Sequence, residues 1–183
     1  MTTHLIEHQD QRVGIFIDIQ NLYHSAKNLY NSRVNYRELV KCLTGKRSLV
    51  RALAYVVKSD TPTESTISKT TGRSEASFFD ALEKSGIQLR VKDLQIFAGG
   101  AKKADWDVGL AVDAIRMAQS LDVIILATGD GDFLPLIEYL KWGMGKDVEV
   151  AAFSRSSNAK MKEVSDAFIA LEEVPKMLVR IKR

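Results

Sequence analysis

Cysteine and long apolar runs are scarce in this sequence. Its single cysteine, Cys42, forms no internal disulfide, and its Cys and His residues do not follow zinc-ligand spacing. No apolar run approaches the roughly 18 residues of a membrane span. The first residues also lack the basic and then apolar order of a signal peptide. We therefore expect a cytoplasmic protein with no membrane partner and a core that needs neither disulfides nor structural metal.

Several enzyme motifs are also missing. The segment after the first predicted strand reads DIQNLY, without the glycines of a dinucleotide-binding turn. There is no GxxxxGK[ST] phosphate-binding loop and no GxSxG nucleophile motif. The histidines, His4, His8 and His24, have no nucleophile partner in view and are interpreted as surface or helix-face residues. These absences argue against a dinucleotide cofactor, a P-loop and a serine hydrolase.

The composition is that of an ordinary soluble domain. The 183 residues are 45% hydrophobic and 27% charged, and we expect one domain over residues 1–183. A formal net charge of +3 is too small to identify a nucleic-acid binder, so any polyanion site depends on local arrangement. Basic residues gather at three places, each equally interpretable as a solvated surface: Lys102 and Lys103; Arg155, Lys160 and Lys162; and Lys176, Arg180, Lys182 and Arg183.

Short apolar runs alternate with longer amphipathic stretches along the chain. This pattern predicts an α/β fold, with helices on both faces of a central parallel sheet. Residues 59–74, rich in Ser and Thr, are predicted to form a long loop. Five strands are predicted, at Val13 to Ile19, Leu49 to Val57, Ile87 to Leu94, Val123 to Thr128 and Val148 to Phe153. Helices are predicted at about Asn21 to Leu29, Tyr36 to Cys42, Ser74 to Ser85, Trp106 to Ser120, Phe133 to Trp142, Ala159 to Phe168 and Pro175 to Arg183.

Acidic residues fall where the predicted strands end. Right-handed crossovers place the carboxyl end of each strand and the start of each following helix at one edge of an open sheet, where ligands bind. Asp18 lies near the end of the first strand, and Asp130 and Asp132 follow the fourth. Structural interpretations stay open, because Asp18 and Asp132 resemble helix N-caps and Asp130 can shape a turn. A cap explains only one of the paired aspartates.

A third acidic segment surrounds Asp107. On a helix, Asp107 shares the apolar face of Leu110 and Ala114, so it is predicted to point toward the strand ends. Asp105 is interpreted as the N-cap of this helix. Asp113 lies about 120° away from Asp107 around the helix axis and is interpreted as structural or supporting.

Converging carboxylates repel one another, and their pKa values rise unless cations neutralise them. Oxygen ligands without His or Cys favour Mg²⁺ or Mn²⁺ over zinc, and magnesium also binds substrate phosphate. A divalent metal at an acidic edge, with lysines near it, indicates phosphodiester hydrolysis.

Three segments carry motifs in a fixed order: FIDIQNLY on the first strand, KKADWDVGLAVDA on the central helix and ATGDGDFLPLI after the fourth strand. Together they resemble the NYN domain of the PIN-like superfamily, in its bacterial LabA-like branch. The ending, VEVAAFSRSSNAKMKEVSDAFIAL, is also similar to that of the family, so the resemblance covers about Arg12 to Leu171. Each motif alone is weakly specific, whereas the three in this order and spacing are strongly specific.

The resemblance implies a PIN-like three-layer fold with strand order 3-2-1-4-5 and a Mg²⁺- or Mn²⁺-dependent ribonuclease site for single-stranded RNA. By position it assigns metal-binding and catalytic roles to Asp18, Asp107, Asp130 and Asp132. Supporting residues are Asn21, Thr128, Asp105 and Asp113, and candidate nucleic-acid contacts are Lys102, Lys103, Arg155 and Lys160. Two positions depart from the family pattern: Gly131 replaces a usual Ser, and Asp105 and Trp106 replace a Lys-Gly pair. Trp106 is open to interpretation as a base-stacking or a packing residue.

Three functions are compatible with the sequence. The first is a metal-dependent ribonuclease, and the second is a non-catalytic RNA-binding or regulatory module, which the LabA-like branch implies. The third is a phosphatase for small esters, ranked last because Gln20 breaks the DxD motif of haloacid-dehalogenase-like phosphatases. Leu178 and Ile181, in a tail predicted to form a basic helix over 175–183, leave a homo-oligomer open.

Overall fold

The computed structural model describes residues 9–58, 75–93, 95–96, 102–103 and 106–181. The predicted loop at 59–74 lies outside these residues, as do Asp105, Lys182 and Arg183. The elements follow the order β1 (Arg12–Asp18), α1 (Ile19–Tyr30), β2 (Ser32–Val34), α2 (Tyr36–Thr44), β3 (Ser48–Lys58), α3 (Glu75–Glu83), β4 (Gln88–Asp93), β5 (Gln95–Ile96), β6 (Lys102–Lys103), α4 (Asp107–Ala118), β7 (Val123–Ala127), α5 (Leu134–Glu138), β8 (Asp147–Ala152), α6 (Ala159–Val164), β9 (Ala167–Ala170) and β10 (Leu178–Arg180).

A six-stranded parallel sheet forms the middle layer. Its strand order is β4-β3-β1-β7-β8-β9. The first five of these strands confirm the predicted strands and their 3-2-1-4-5 order. β7 lies in the interior of the sheet and all five of its residues are buried, which explains why its sequence is a continuous apolar run.

Two hydrophobic clusters lie on opposite faces of the sheet. On one face, β-strand residues such as Ile15 and Ile17 pack with α1, α2 and α3 through Leu22, Leu39 and Leu82. On the other face, Phe16 and Leu126 are members of a cluster that includes residues of α4, α5 and α6, among them Leu110, Ile137 and Met161. The three-layer fold is therefore confirmed. No helix in the described part of the chain is long and apolar enough to cross a bilayer.

The predicted helix over Ala159 to Phe168 is wrong at its end. Helix α6 stops at Val164, and β9 then adds a sixth strand beside β8. Asp166 holds the start of β9 beside β8. Its backbone N–H donates to the Val148 carbonyl (2.8 Å) and its carboxylate accepts from the Val148 N–H (2.8 Å). Lys141 also pairs with the Asp166 carboxylate at 2.9 Å.

The predicted C-terminal helix over 175–183 is also wrong. Residues Leu178–Arg180 form β10, which pairs antiparallel with β2. Lys176 adopts a left-handed conformation, with φ of 63°, which is incompatible with a continuous helix. The Asn35 N–H donates to the Met177 carbonyl at 2.8 Å and holds the turn against the start of α2. Leu178 is partly buried and packs against the core.

A buried ion pair joins the turn after α2 to strand β8 of the sheet. Arg47 and Glu149 are only 8% and 5% exposed, and two hydrogen bonds of 2.5 and 3.1 Å connect them. Arg47 also donates to the Leu43 carbonyl at 2.6 Å. Because both charged groups are buried away from water, each offsets the free-energy cost of removing the other from solvent.

Replacing Glu149 by Ala should lower the free energy of unfolding by about 3–5 kcal/mol, since it leaves the Arg47 guanidinium buried without its carboxylate. Urea unfolding followed by circular dichroism measures the loss. The double variant Arg47→Met with Glu149→Leu removes both charges and should recover much of it. A loss below about 1 kcal/mol for Glu149→Ala, the level of an exposed pair, would contradict this assignment.

Candidate metal centre

An open cleft of about 380 Å³ lies at the carboxyl edge of the sheet, where β1, β3 and β7 end. Its position is the one that sheet topology predicts for a ligand site. Three of the predicted aspartates line it, Asp18, Asp107 and Asp130. The other lining residues are Gln20, Asn21, His24, Ser25, Tyr55, Trp106 and Ser156.

Asp107, Asp130 and Asp132 form a trio of carboxylates. One oxygen from each lies within 4.8 Å of the oxygens of the other two. Asp107 begins α4, where the helix dipole favours negative charge, and the other two belong to the turn after β7. Asp107 and Asp130 are half-buried and Asp132 is exposed. The structure thus brings the second and third acidic segments together in space.

Asp18 lies beside this trio rather than within it. One of its carboxylate oxygens accepts from the Asn21 N–H at 3.0 Å, so Asp18 caps helix α1. The other accepts from the Thr128 hydroxyl at 3.1 Å. Burial raises the pKa of Asp18 and the charge of Asp130 adds to the rise, while the Asn21 and Thr128 hydrogen bonds oppose it. Asp18 is therefore both a structural cap and a carboxylate of the cleft.

Thr128 and Asn21 connect the ends of the two central strands. The fully buried Thr128 hydroxyl donates to Asp18 and accepts from the Asp130 N–H at 3.2 Å. The Asn21 side-chain oxygen accepts from the Gly129 N–H at 2.9 Å. Asp130 in turn accepts from the Asp132 N–H at 3.0 Å. The two residues predicted to support the site therefore hold the acidic turn against the start of α1.

Gly131 stands where the family pattern has Ser, and the structure gives a reason. A Cβ at position 131 would collide with the side-chain amide of Asn158. Asn158 caps α6 by accepting from the Lys160 N–H at 3.0 Å, and its own N–H donates to the Gly129 carbonyl at 3.0 Å. The loop after β8 thus packs tightly on the acidic turn.

Asp113 and Trp106 have structural contacts. Asp113 accepts from the Tyr55 hydroxyl at 3.1 Å and pairs with Arg90 at 3.1 Å, outside the trio. Burial, followed by the charge of Asp113, raises the pKa of Tyr55, which keeps the hydroxyl a donor. The Trp106 indole N–H donates to the Val56 carbonyl at 2.9 Å, and its ring meets Tyr55 edge-on at 5.6 Å. Trp106 therefore packs against the fold while its side chain lines the cleft.

The four predicted nucleic-acid contacts lie on two segments of the chain, and the two whose side chains the structure describes, Arg155 and Lys160, do not line the cleft. Arg155 and Lys160 are exposed, and Arg155 is next in sequence to Ser156, which lines the cleft. Lys102 and Lys103 form β6, a short strand that pairs with β5. Their side-chain positions lie outside the described part of the chain.

Five cleft residues were not predicted from the sequence: Gln20, His24, Ser25, Tyr55 and Ser156. His24 and Ser25 lie about one helical turn beyond Asn21 on α1, a spacing that could have indicated them. Tyr55 pairs with Asp18 across β1 and β3, a relation that requires the strand register. Ser156 donates to the Ser25 hydroxyl at 2.8 Å, a contact between residues distant in the sequence.

A three-layer parallel α/β fold with aspartates gathered at the carboxyl edge of its sheet is the arrangement expected of a PIN-like protein. The NYN domain model matches residues 12–172, and the chain belongs to this family. It is 23% identical over 189 residues to the low amplitude and bright protein LabA of Synechococcus elongatus, with 94% of this chain and 90% of LabA covered.

A solved structure supports the fold directly. The crystal structure of VPA0982, a protein of unknown function from Vibrio parahaemolyticus, is similar to this chain with a TM-score of 0.80 and 27% identity. The match covers 96% of this chain and 100% of VPA0982. The family resemblance inferred from the three motifs is thereby confirmed.

Replacing Thr128 by Val should raise the pKa of Asp18 further, because it removes a hydrogen bond that stabilises the ionised carboxylate. It should also lower the free energy of unfolding by about 1–3 kcal/mol, since the Asp130 N–H loses its acceptor. NMR titration of the Asp18 carboxyl in metal-free buffer measures the first effect and urea unfolding the second. Thr128→Ser keeps the hydroxyl and is the matched control; an unchanged Asp18 pKa in Thr128→Val would contradict the bridging role.

Proposed function

We propose that this protein is a metal-dependent ribonuclease that hydrolyses RNA phosphodiester bonds at the aspartate cluster. The observation that carries the proposal is the trio of Asp107, Asp130 and Asp132, whose oxygens lie within 4.8 Å of one another at the carboxyl edge of an NYN domain. Membership in a PIN-like nuclease superfamily supports phosphodiester chemistry at this place. Asp18 adds a fourth carboxylate beside Asp130.

The trio fits a hard divalent cation. All three donors are carboxylate oxygens, the ligand type preferred by Mg²⁺ and Mn²⁺ over softer metals. Ligands of one magnesium ion lie about 2.0–2.1 Å from it, so small side-chain rotations suffice to bring these oxygens onto a single ion. When bound, such a cation supplies the positive charge that activates water and stabilises the phosphoryl oxygens in the transition state.

The surrounding residues hold the trio in position. Thr128 and Asn21 tie the turn that contains Asp130 and Asp132 to the start of α1. Asp107 approaches from the first turn of α4. Two elements therefore deliver the three carboxylates, because Asp130 and Asp132 share the turn after β7.

We propose single-stranded RNA as the substrate. A cleft of about 380 Å³ has the size of a small-ligand pocket, which suits one nucleotide of an extended strand better than a duplex. His24, Trp106 and Ser156 offer ring faces and a hydroxyl to that nucleotide. Backbone contacts are proposed for Lys102, Lys103, Arg155 and Lys160, which carry the positive charge that an RNA strand requires.

Mn²⁺ binding tests the metal centre without any substrate. Replacing Asp130 by Asn should weaken Mn²⁺ binding, measured by calorimetry on the metal-stripped protein, by at least about tenfold, because a trio ligand loses its charge. Asp147→Asn is the matched control, since it removes one exposed carboxylate at the start of β8. Equal Mn²⁺ affinities for the two variants would contradict the assignment.

Cleavage of a labelled single-stranded RNA tests the activity. Metal-stripped wild type should cut the RNA when Mn²⁺ or Mg²⁺ is added and not in EDTA. Asp130→Asn should slow the reaction by on the order of 10²-fold or more, while Asp147→Asn cuts at the wild-type rate. A folded wild type that binds RNA in EDTA but never cuts it in Mn²⁺ would overturn the ribonuclease and favour a non-catalytic RNA-binding module.

A further inference from the structure

A second open cleft, of about 400 Å³, lies beside the acidic one. It is formed by β3, the edge strand β4 and α4. Three exposed arginines line it, Arg51, Arg90 and Arg116, and we call this set the arginine track. Among its described lining residues a single carboxylate, Asp113, stands against these three guanidinium groups.

The two clefts are separated by one side chain. Tyr55 lines the acidic cleft, and its hydroxyl donates to Asp113, which in turn pairs with Arg90. The strand register explains this closeness, because Asp18 pairs with Tyr55 and Tyr55 pairs with Arg90 across β1, β3 and β4. Since neighbouring strands lie about 4.8 Å apart, the Arg90 backbone is roughly 10 Å from that of Asp18.

The strand pattern also places the basic groups on one face of the sheet. Residues two apart on a strand share a face, so Arg51 and Tyr55 of β3 point to the same side. Arg90 joins them through its pairing with Tyr55, and α4 contributes Arg116 from above. Arg51 donates to the Gln88 side-chain oxygen at 2.6 Å, which orients its guanidinium group.

Guanidinium groups in this arrangement suit phosphate. Arginine presents planar, paired donors that match phosphate oxygens and stays charged at every physiological pH. An acidic centre repels a polyanion, so an RNA strand that reaches the trio gains from cations placed on its neighbouring phosphates. Arg90 supplies such a cation about two strand spacings from Asp18, and Arg51 lies four residues, roughly 13 Å, further back along β3.

We infer that the arginine track binds the RNA backbone next to the phosphate that enters the aspartate cluster. This inference rests on the proposed function and adds a substrate-binding surface to it. Arg51 and Arg116 contact phosphates directly. Arg90, which pairs with Asp113, lies where the RNA strand crosses Tyr55 and enters the acidic cleft.

RNA affinity and its salt dependence test the track. The full chain is titrated in EDTA onto a fluorescently labelled 12-nucleotide oligo(U), from 50 to 200 mM salt, and followed by anisotropy. The double variant Arg51→Gln with Arg116→Gln should bind at least about tenfold more weakly. The slope of log affinity against log salt should fall by about 1.4, since each phosphate contact on a single strand contributes about 0.7.

The matched control is the double variant Arg37→Gln with Arg180→Gln. It removes the same charge from exposed positions on α2 and β10, away from the track. It should leave the slope within about 0.3 of wild type. If the track double variant does not fold, Arg116→Gln alone, on the exposed side of α4, should lower the slope by about 0.7.

Cleavage in Mn²⁺ separates this inference from the proposed function. The track variant should raise KM for the 12-mer while leaving the rate for a UpU dinucleotide, too short to span both clefts, at the wild-type value. A wild type that cuts RNA, with equal KM for the track and control variants, would overturn the track alone. A wild type that neither binds nor cuts RNA would overturn the proposed function and the track together.

Discussion

The hydroxyl of Thr128 is the contact on which the candidate site depends. It donates to Asp18 at the end of β1 and accepts from the Asp130 N–H in the turn after β7. These are the two neighbouring strands at the centre of the sheet, so one buried atom sets the distance between two acidic segments. The loop after β8, through Asn158, then closes over the same turn.

Burial and charge act against each other at this edge of the sheet. Asp18 is held in a position where burial and the Asp130 charge both raise its pKa. A carboxylate whose ionised form is disfavoured by burial and by a neighbouring negative charge is typical of a functional site. The arginines of the arginine track provide positive charge nearby. Arg90 does not pair with the aspartates of the trio, because its guanidinium group pairs with Asp113.

Much of the fold follows from local patterns in the sequence. The buried run of β7 and the alternation of strands with amphipathic helices were sufficient to predict five strands of the sheet, whereas their order was implied by the resemblance to the NYN family. The two wrong helix predictions lie at the C-terminal end, where long-range contacts decide the structure. β9 depends on Asp166 pairing with Val148, and β10 depends on the left-handed turn at Lys176.

The site could be predicted only in part. The carboxyl-edge rule brought Asp18, Asp107, Asp130 and Asp132 into one region, since it depends on topology alone. Which three oxygens approach one another depends on side-chain packing, as does the placement of Asp18 beside the trio. Tyr55, Arg51 and Arg90 could not be predicted as site residues, because only the register of β1, β3 and β4 shows that they lie near Asp18.

Anomalous diffraction from crystals soaked in Mn²⁺ shows whether the trio of Asp107, Asp130 and Asp132 holds a divalent cation. We expect an anomalous peak with carboxylate oxygens of Asp107, Asp130 and Asp132 at about 2.0–2.2 Å, close to the distance of magnesium ligands. A map at saturating Mn²⁺ that shows no peak there, or a peak held by other residues alone, would contradict this metal centre.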